Sequence, residues 1–250
     1  MQGLIKKYLS KLDAMVDFNH IAKVEATYRS IFAFHDVAEL PYIVGDVSCV
    51  EDDDWPDFPY NDTFADPQKM LLNQLRGPFL HHQLKDYHPL NIRCNYGTVI
   101  LPSVFGARYQ LTETSVPWAH HLDDRQAVAN LVARGIPDLN TALGKTCFET
   151  LSYYQDILSG YPNLQEAVAI YHPDLQGPFD VAHLIWGPDI LVALYDCPDL
   201  VHELLELVTD TYVAWMHEWK RLTGEQNDFT THWSFFIKGG VMLRDDTPVM

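Results

Sequence analysis

The sequence predicts an α/β fold in which two helices precede strands that alternate with long helices. Three observations carry that prediction. Residues 4–16 and 20–33 set apolar side chains at three- and four-residue spacing, the signature of amphipathic helices. From Pro41 onward, apolar runs of strand length alternate with stretches of helix length, the order of a parallel sheet with right-handed crossovers. The segment Ala167–Leu222 then gives one βα unit in full, as a strand, a loop and a long returning helix.

The elements follow in order. Leu4, Ile5, Tyr8, Leu9, Leu12, Met15 and Val16 share a face of the first helix. Ile21, Val24, Tyr28, Ile31 and Phe32 share one on the second, with Asn19 as its N-cap. Pro41–Val47 reads as a strand, followed by the acidic run Glu51–Asp54 before Trp55-Pro56. Asp66-Pro67 opens a helix through Met70, Leu71, Gln74 and Leu75, which Gly77-Pro78 kinks or ends before Lys85. Asn91–Tyr96 reads as a second strand, with Thr98–Val104 continuing it or forming a separate extended piece. In the helix expected over Asp138–Leu158, Leu139, Leu143, Cys147, Leu151, Tyr154 and Leu158 fall on one face, and Gly160 closes it. Ala167–Tyr171 is the next strand, and its loop is marked by His172-Pro173 and Gln176-Gly177-Pro178-Phe179. The returning helix begins at Pro198, whose missing N–H costs nothing in a first turn. It carries Leu200, Leu204, Val208, Tyr212, Trp215, Trp219 and Leu222 on one face and stops before Gly224. Trp233–Leu243 is the last strand-like run, with a bend or bulge at Gly239-Gly240.

A chain of 250 residues with 47% apolar content has room for one α/β barrel or two small domains. Its uncharged apolar runs are far shorter than a membrane span, and MQGLIKKYLSKL lacks a signal-peptide cleavage pattern, so a soluble cytoplasmic protein with no membrane partner is expected. Cys49, Cys94, Cys147 and Cys197 are widely spaced with no C-x-x-C pair, which reads as free thiols. The net charge of −17, from 34 acidic and 17 basic residues, repels phosphate backbones and argues against nucleic-acid binding. It argues more mildly against a highly acidic substrate, unless a local cluster of cations reverses the field.

Gly177-Pro178-Phe179, the Trp186-Gly187 turn and the helix CPDLVHELLELVTD resemble the uroporphyrinogen decarboxylase superfamily. So do DFPYNDTFADPQKMLLNQL, RCNYGTVILPSVFG and FFIKGGVMLRDD, which are similar to segments of its bacterial, decarboxylase-like members. That superfamily includes the decarboxylases of haem synthesis and zinc- and corrinoid-linked methyltransferases acting on methylcobamide. The resemblance implies a (β/α)8 TIM barrel, incomplete in this chain, with residues 1–40 as an N-terminal helical extension and 41–250 as the partial barrel. Within it Arg244-Asp245-Asp246 would lie near the middle of the barrel. An end shortly after would leave a parallel edge strand uncovered, so the sequence is expected to be a fragment of a longer product.

The resemblance also bears on the chemistry. The decarboxylases open their barrel with an R-Q-A-G-R motif that holds substrate carboxylates through bidentate guanidinium contacts. The corresponding strand here, Pro41–Cys49, has no counterpart, and no Arg or Lys occurs between Arg29 and Lys69. The family's catalytic Asp maps to Asn95, its substrate-contacting Tyr approximately to Leu184, and its Ser to Asp246. These departures favour the methyltransferase branch over tetrapyrrole decarboxylation. In that branch a zinc held by His and Cys activates a thiol. Its H-x-C and later Cys ligands are expected in a missing C-terminal part. His81-His82 and His120-His121 are adjacent pairs whose side chains diverge, and His172, His183 and His232 are scattered singles, so no cofactor or metal ligand is assigned within this chain.

In a barrel, functional side chains sit at the C-terminal ends of strands. That logic selects Asp46, Asn95, Tyr96, His172, Gln176 and Phe179 as substrate-binding candidates, with Asn95, Gln176 and Phe179 as a polar-aromatic wall. Turn chemistry and packing are the plainer alternative for these three. Asp245 and Asp246 are the catalytic candidates, because two carboxylates in a cleft can share a proton; a helix N-cap plus a solvated acid is the plainer reading. The run Glu51–Asp54 lacks the ligand spacing of a calcium loop and reads as solvated. The expected function is a corrinoid-dependent, methyltransferase-like activity that moves a methyl group between a cobamide and a small donor or thiol. The corrinoid would be substrate or be carried by a corrinoid protein. The alternatives are a tetrapyrrole decarboxylase and a non-catalytic ligand-binding barrel.

Overall fold

A computed structural model of the chain describes residues 1–47, 55–112, 116–122, 124–225 and 228–239. In chain order the elements are α1 (Gln2–Met15), α2 (Phe18–Phe32), α3 (Tyr60–Ala65), α4 (Pro67–Leu84), β1 (Asn91–Ile92), a 3-10 turn at Gly97–Val99 and α5 (Ile100–Val104). Next come β2 (Arg108–Gln110), β3 (Trp118–His120), α6 (Arg125–Arg134), α7 (Ala142–Ser159), α8 (Pro162–Ala167) and β4 (Ala169–Ile170). The last are α9 (Pro178–Trp186), α10 (Asp189–Asp196), α11 (Pro198–Thr223), β5 (Phe229–His232) and β6 (Phe235–Lys238). Contacts divide the chain into two compact units. Unit 1 holds Met1–Cys94, Thr150–Tyr171 and the described part of 226–240; unit 2 holds Asn95–Glu149 and His172–Glu225.

Unit 1 is built on α1 and α4. Tyr8, Leu9 and Leu12 of α1 and Leu71, Leu72, Leu75 and Phe79 of α4 are buried, and the Tyr8 ring lies 4.7 Å from that of Trp55. Asp13 reaches across sequence to α8, where its Oδ1 accepts the N–H groups of Asn163 at 2.9 Å and Leu164 at 3.0 Å. Two first-turn donors that have no partner inside the helix are thereby satisfied. β1 and β4 pair in parallel, Asn91 with Ala169 and Ile92 with Ile170, while β5 and β6 form an antiparallel hairpin.

Unit 2 is dominated by α11. Leu204, Val208, Tyr212, Trp215 and Trp219 are buried along one face, as the spacing predicts, and Gly224 ends the helix by donating its N–H to the Lys220 carbonyl. Phe148 of α7 stacks on Trp215 with centroids 4.7 Å apart. That approach needs Gly144 one turn earlier. A Cβ there would stand 2.1 Å from the Leu139 carbonyl oxygen and 3.2 Å from the Trp215 ring. β2 and β3 pair antiparallel.

The fold is α/β but helix-dominated. Among the described residues the strands form three two-stranded sheets, of which β1–β4 is parallel, and a full barrel is not seen. Several element expectations are corrected. Pro41–Val47 is not a strand, because its hydrogen bonds go elsewhere: Val44 N–H donates to the Asp86 carboxylate and the Tyr42 carbonyl accepts from Tyr87. Thr98–Val104 is a 3-10 turn and a helix. Its β-branched residues suit a strand, but Gly97 with φ of 71° redirects the chain, and Ser103 bonds both the Ile100 carbonyl and the Leu143 N–H. Asp17, not Asn19, caps α2 through the His20 N–H. α4 runs through Pro78 to Leu84 and ends at Lys85, which is left-handed at φ 58°. Trp233 sits in the turn of a hairpin whose first strand, Phe229–His232, was not anticipated. Gly240 onward lies outside the described residues.

Candidate functional site

The chemistry of unit 1 concentrates where α4 ends. Because Lys85 turns the chain back on itself, Asp86 returns to the helix it has just left. Its carboxylate is fully buried and receives three donors: Val44 N–H at 2.9 Å, His88 N–H at 3.0 Å and the His81 imidazole at 2.7 Å. A carboxylate already gripped by two backbone N–H groups is set up to accept, so Nδ1 of His81 donates; in the neutral ring Nε2 carries the lone pair. Among the described residues Nε2 meets no hydrogen-bonding partner. The His88 ring stacks on His81 at 4.4 Å and donates through its own Nδ1 to the Pro89 carbonyl.

His81 and His88 line a cleft of about 250 Å³ that lies wholly within unit 1. α4 supplies Asn73, Gln74, Gly77 and Pro78 to the lining; the rest is Asn91 and Arg93 from β1 and its extension, Tyr171 after β4, and Trp233 from the hairpin turn. Much of the polar lining is spent on holding the walls. Asn73 bonds the backbone of Phe58 in both directions, Gln74 Oε1 accepts Arg93 N–H at 3.2 Å, and Asn91 donates to the Trp233 carbonyl at 2.7 Å. Among the described lining residues there is no carboxylate, and Arg93 is the arginine there.

His88 also lines a second cavity of about 180 Å³, with His20, His82, Glu25 and Glu166. Here the histidines are held neutral. Burial pushes His82 down to about 4, aided by the charge of Lys85, and its Nε2 accepts the Asp17 N–H at 3.0 Å. Burial likewise pushes His88 down to about 4, aided by His81. His20 is lowered by burial while donating to the Asp86 carbonyl.

No three His, Cys, Asp or Glu side chains among the described residues converge as a metal ion would need. Cys94, Cys147 and Cys197 are buried thiols outside any disulfide, and burial pushes the Cys94 thiol well up, away from the thiolate that binds zinc. The described residues thus offer zinc no site.

The residues selected from sequence lie elsewhere. Asp46 is exposed, in unit 1. Asn95, Tyr96, His172, Gln176 and Phe179 belong to unit 2. Tyr96 and His172 are buried, the latter with its ring on the Pro173 carbonyl. Gln176 is left-handed at φ 61° and donates to Asp174 at 2.6 Å, and Phe179 is half-buried in the first turn of α9. The unit 1 cleft gathers none of them. Asp245, Asp246 and the Glu51–Asp54 run lie outside the described residues. His81 and His82 do diverge, one toward Asp86 and the other toward Asp17. The missed signal was the density of HHQLKDYH, with three histidines and an aspartate in eight residues around a helix end.

No protein-family model and no curated protein matches the chain. Among solved structures it is similar to a methyltransferase from Methanosarcina mazei, with a TM-score of 0.55 and 16% identity over 77% of this chain and 54% of that one. The chain spans about half the length of that neighbour, and the likeness is one of fold. No helix among the described residues is long and apolar enough to cross a membrane.

Proposed function

We propose that this chain belongs to a methyltransferase-like enzyme of the cytoplasm that moves a methyl group between a cobamide and a small donor or thiol held in the unit 1 cleft. The observation that carries the reading is a small polar cleft, with an oriented imidazole in its wall, on a fold similar to that of a methyltransferase. The size of the cleft decides which reactant it takes. Pockets for drug-sized ligands run to roughly 300–1,000 Å³, so a cleft of about 250 Å³ suits a small molecule and leaves the cobamide outside. The cobamide then comes as a free substrate or on a corrinoid protein that docks against the cleft mouth.

The test is to incubate the full chain with methylcobalamin and a small thiol and follow loss of the methyl–cobalt absorbance. Thiol-dependent demethylation is the expected result. Its absence, together with coproporphyrinogen formed from uroporphyrinogen, would replace this reading with the tetrapyrrole decarboxylase.

A further inference from the structure

We infer that the second cavity of unit 1, the one lined by His20, His88, Glu25 and Glu166, is a binding site for a small primary ammonium ion with a compact apolar body. The site is separate from the cleft assigned to methyl transfer, and the inference does not rest on that reading.

The cavity is lined from α2, α4, the residues before β1, α8, β4 and the β5–β6 hairpin, all of them within unit 1. Its size sets the bulk of the occupant. A dry apolar cavity of roughly 150 Å³ holds benzene, and this one measures about 180 Å³. Much of the lining is apolar: Val24 and Leu90 are buried, and Ile21 and Phe236 are half-buried. A six-membered ring or a short branched chain is therefore a fitting body.

The polar part of the lining calls for donors. His20 donates through Nε2 to the Asp86 carbonyl at 2.9 Å, so Nδ1 carries the lone pair of the neutral ring. His88 donates through Nδ1 to the Pro89 carbonyl, so its lone pair is on Nε2. Both residues are 8% exposed, and neither of these two nitrogens meets a hydrogen-bonding partner among the described residues. Buried acceptors left so are costly, and a ligand N–H offsets that cost. Burial lowers both imidazoles, which keeps them acceptors near neutral pH.

The charge of the ligand follows from the carboxylates. Glu25 and Glu166 line the cavity, and among the described residues no lysine or arginine does. Glu25 is engaged by Arg29 at 2.8 Å, whereas Glu166 has no ion-pair partner among the described residues. The lysines whose charge reaches His20, Lys85 and Lys23, are themselves held by Asp17 and Glu39. An ammonium ion brings three N–H donors and a charge that Glu166 matches; an alcohol brings one donor, and an anion none. A metal ion is the other cation such a set suggests, but no three His, Cys, Asp or Glu side chains among the described residues converge to hold one.

The probe is cyclohexylammonium, with cyclohexanol as its uncharged counterpart and cyclohexanecarboxylate as the anion. Calorimetric titration of the full chain near neutral pH should show the ammonium binding about tenfold tighter than the alcohol, with no binding of the carboxylate. In ¹⁵N-histidine spectra the Nδ1 resonance of His20 should move as the ammonium is added. Glu166→Gln alters an exposed side chain, so the fold is kept, and it should weaken the ammonium roughly fivefold while leaving the alcohol unchanged. Equal affinities for ammonium and alcohol, or no binding of either, overturn the proposal. So does a His20 resonance that stays fixed at saturating ammonium, because the ion then binds elsewhere. None of these outcomes depends on whether the protein transfers a methyl group.

Discussion

His81 and His88 lie face to face, ring centroids 4.4 Å apart, each with its Nδ1 committed to an oxygen of a neighbouring residue. Two imidazolium ions at that distance would repel, so the stack is compatible with at most one charge. Burial keeps the proton off His88.

Stability should therefore fall in mild acid. His82 and His88 are lowered to about 4 in the folded chain, against an ordinary value of 6.5. Between these values the unfolded chain binds more protons than the folded one, so stability is fully present above 6.5 and is lost as the pH falls toward 4. The slope approaches about 1.4 kcal/mol per pH unit for each histidine. Urea denaturation at a series of pH values in that window should show the loss. His82→Gln should flatten it, since the amide oxygen can accept the Asp17 N–H without taking up a proton.

Gly144→Ala should cost at least about 2 kcal/mol. The obstacle is the Leu139 carbonyl oxygen, 2.1 Å from the new Cβ, and a backbone atom cannot rotate away as the tip of a side chain can. Chemical denaturation with a near-UV spectrum of the native state would detect both the loss and any disturbance of the Phe148–Trp215 stack.

Two aspartates should separate by what they satisfy. Asp66 caps α4 through one N–H, that of Gln68 at 2.8 Å, and Asp66→Ala should cost about 1 kcal/mol. The Asp13 carboxylate serves two N–H groups of α8, so Asp13→Ala should cost about 2 kcal/mol. Denaturation midpoints of the two variants, measured side by side, check the order.

At Trp215 the size of the replacement should matter more than its polarity. The indole is fully buried and its N–H has no hydrogen-bond partner among the described residues. Trp215→Phe removes that orphaned donor along with some packing and should cost less than about 2 kcal/mol, whereas Trp215→Ala opens a cavity and should cost about 3–5 kcal/mol. Equal losses in the two variants would mean that the N–H is satisfied after all.

The helices were legible because each carries its own evidence. α1, α4, α7 and α11 show apolar stripes, and α4 and α11 have Pro at the start, so local pattern and tertiary burial agree. The strands were legible in part: β1, β4 and β6 fall within runs read as strands, whereas β2, β3 and β5, three or four residues long, were not read, and the β1–β4 pairing joins residues far apart in sequence. Asn91 pairs with Ala169, and nothing near Asn91 announces it. Thr98–Val104 misled through composition, since Gly97 decides the local path and carries no hydrophobic signal. The dyad of His81 and Asp86 was invisible for a related reason. Five residues is neither a helical nor a strand period, and the two side chains meet only because Lys85 is left-handed.

Pro78 stands inside α4 with no N–H to give, so the carbonyl of Gln74 cannot close its rung of the ladder there. The interruption falls in the wall of the cleft, between the segment that carries Gln74 and the turn that carries His81. Local opening follows such weak rungs. The last turn of the helix can therefore exchange its amide hydrogens with solvent without disturbing the Met70–Leu75 half, which is anchored in the core. The cleft is thus walled by two parts of one helix that keep different time.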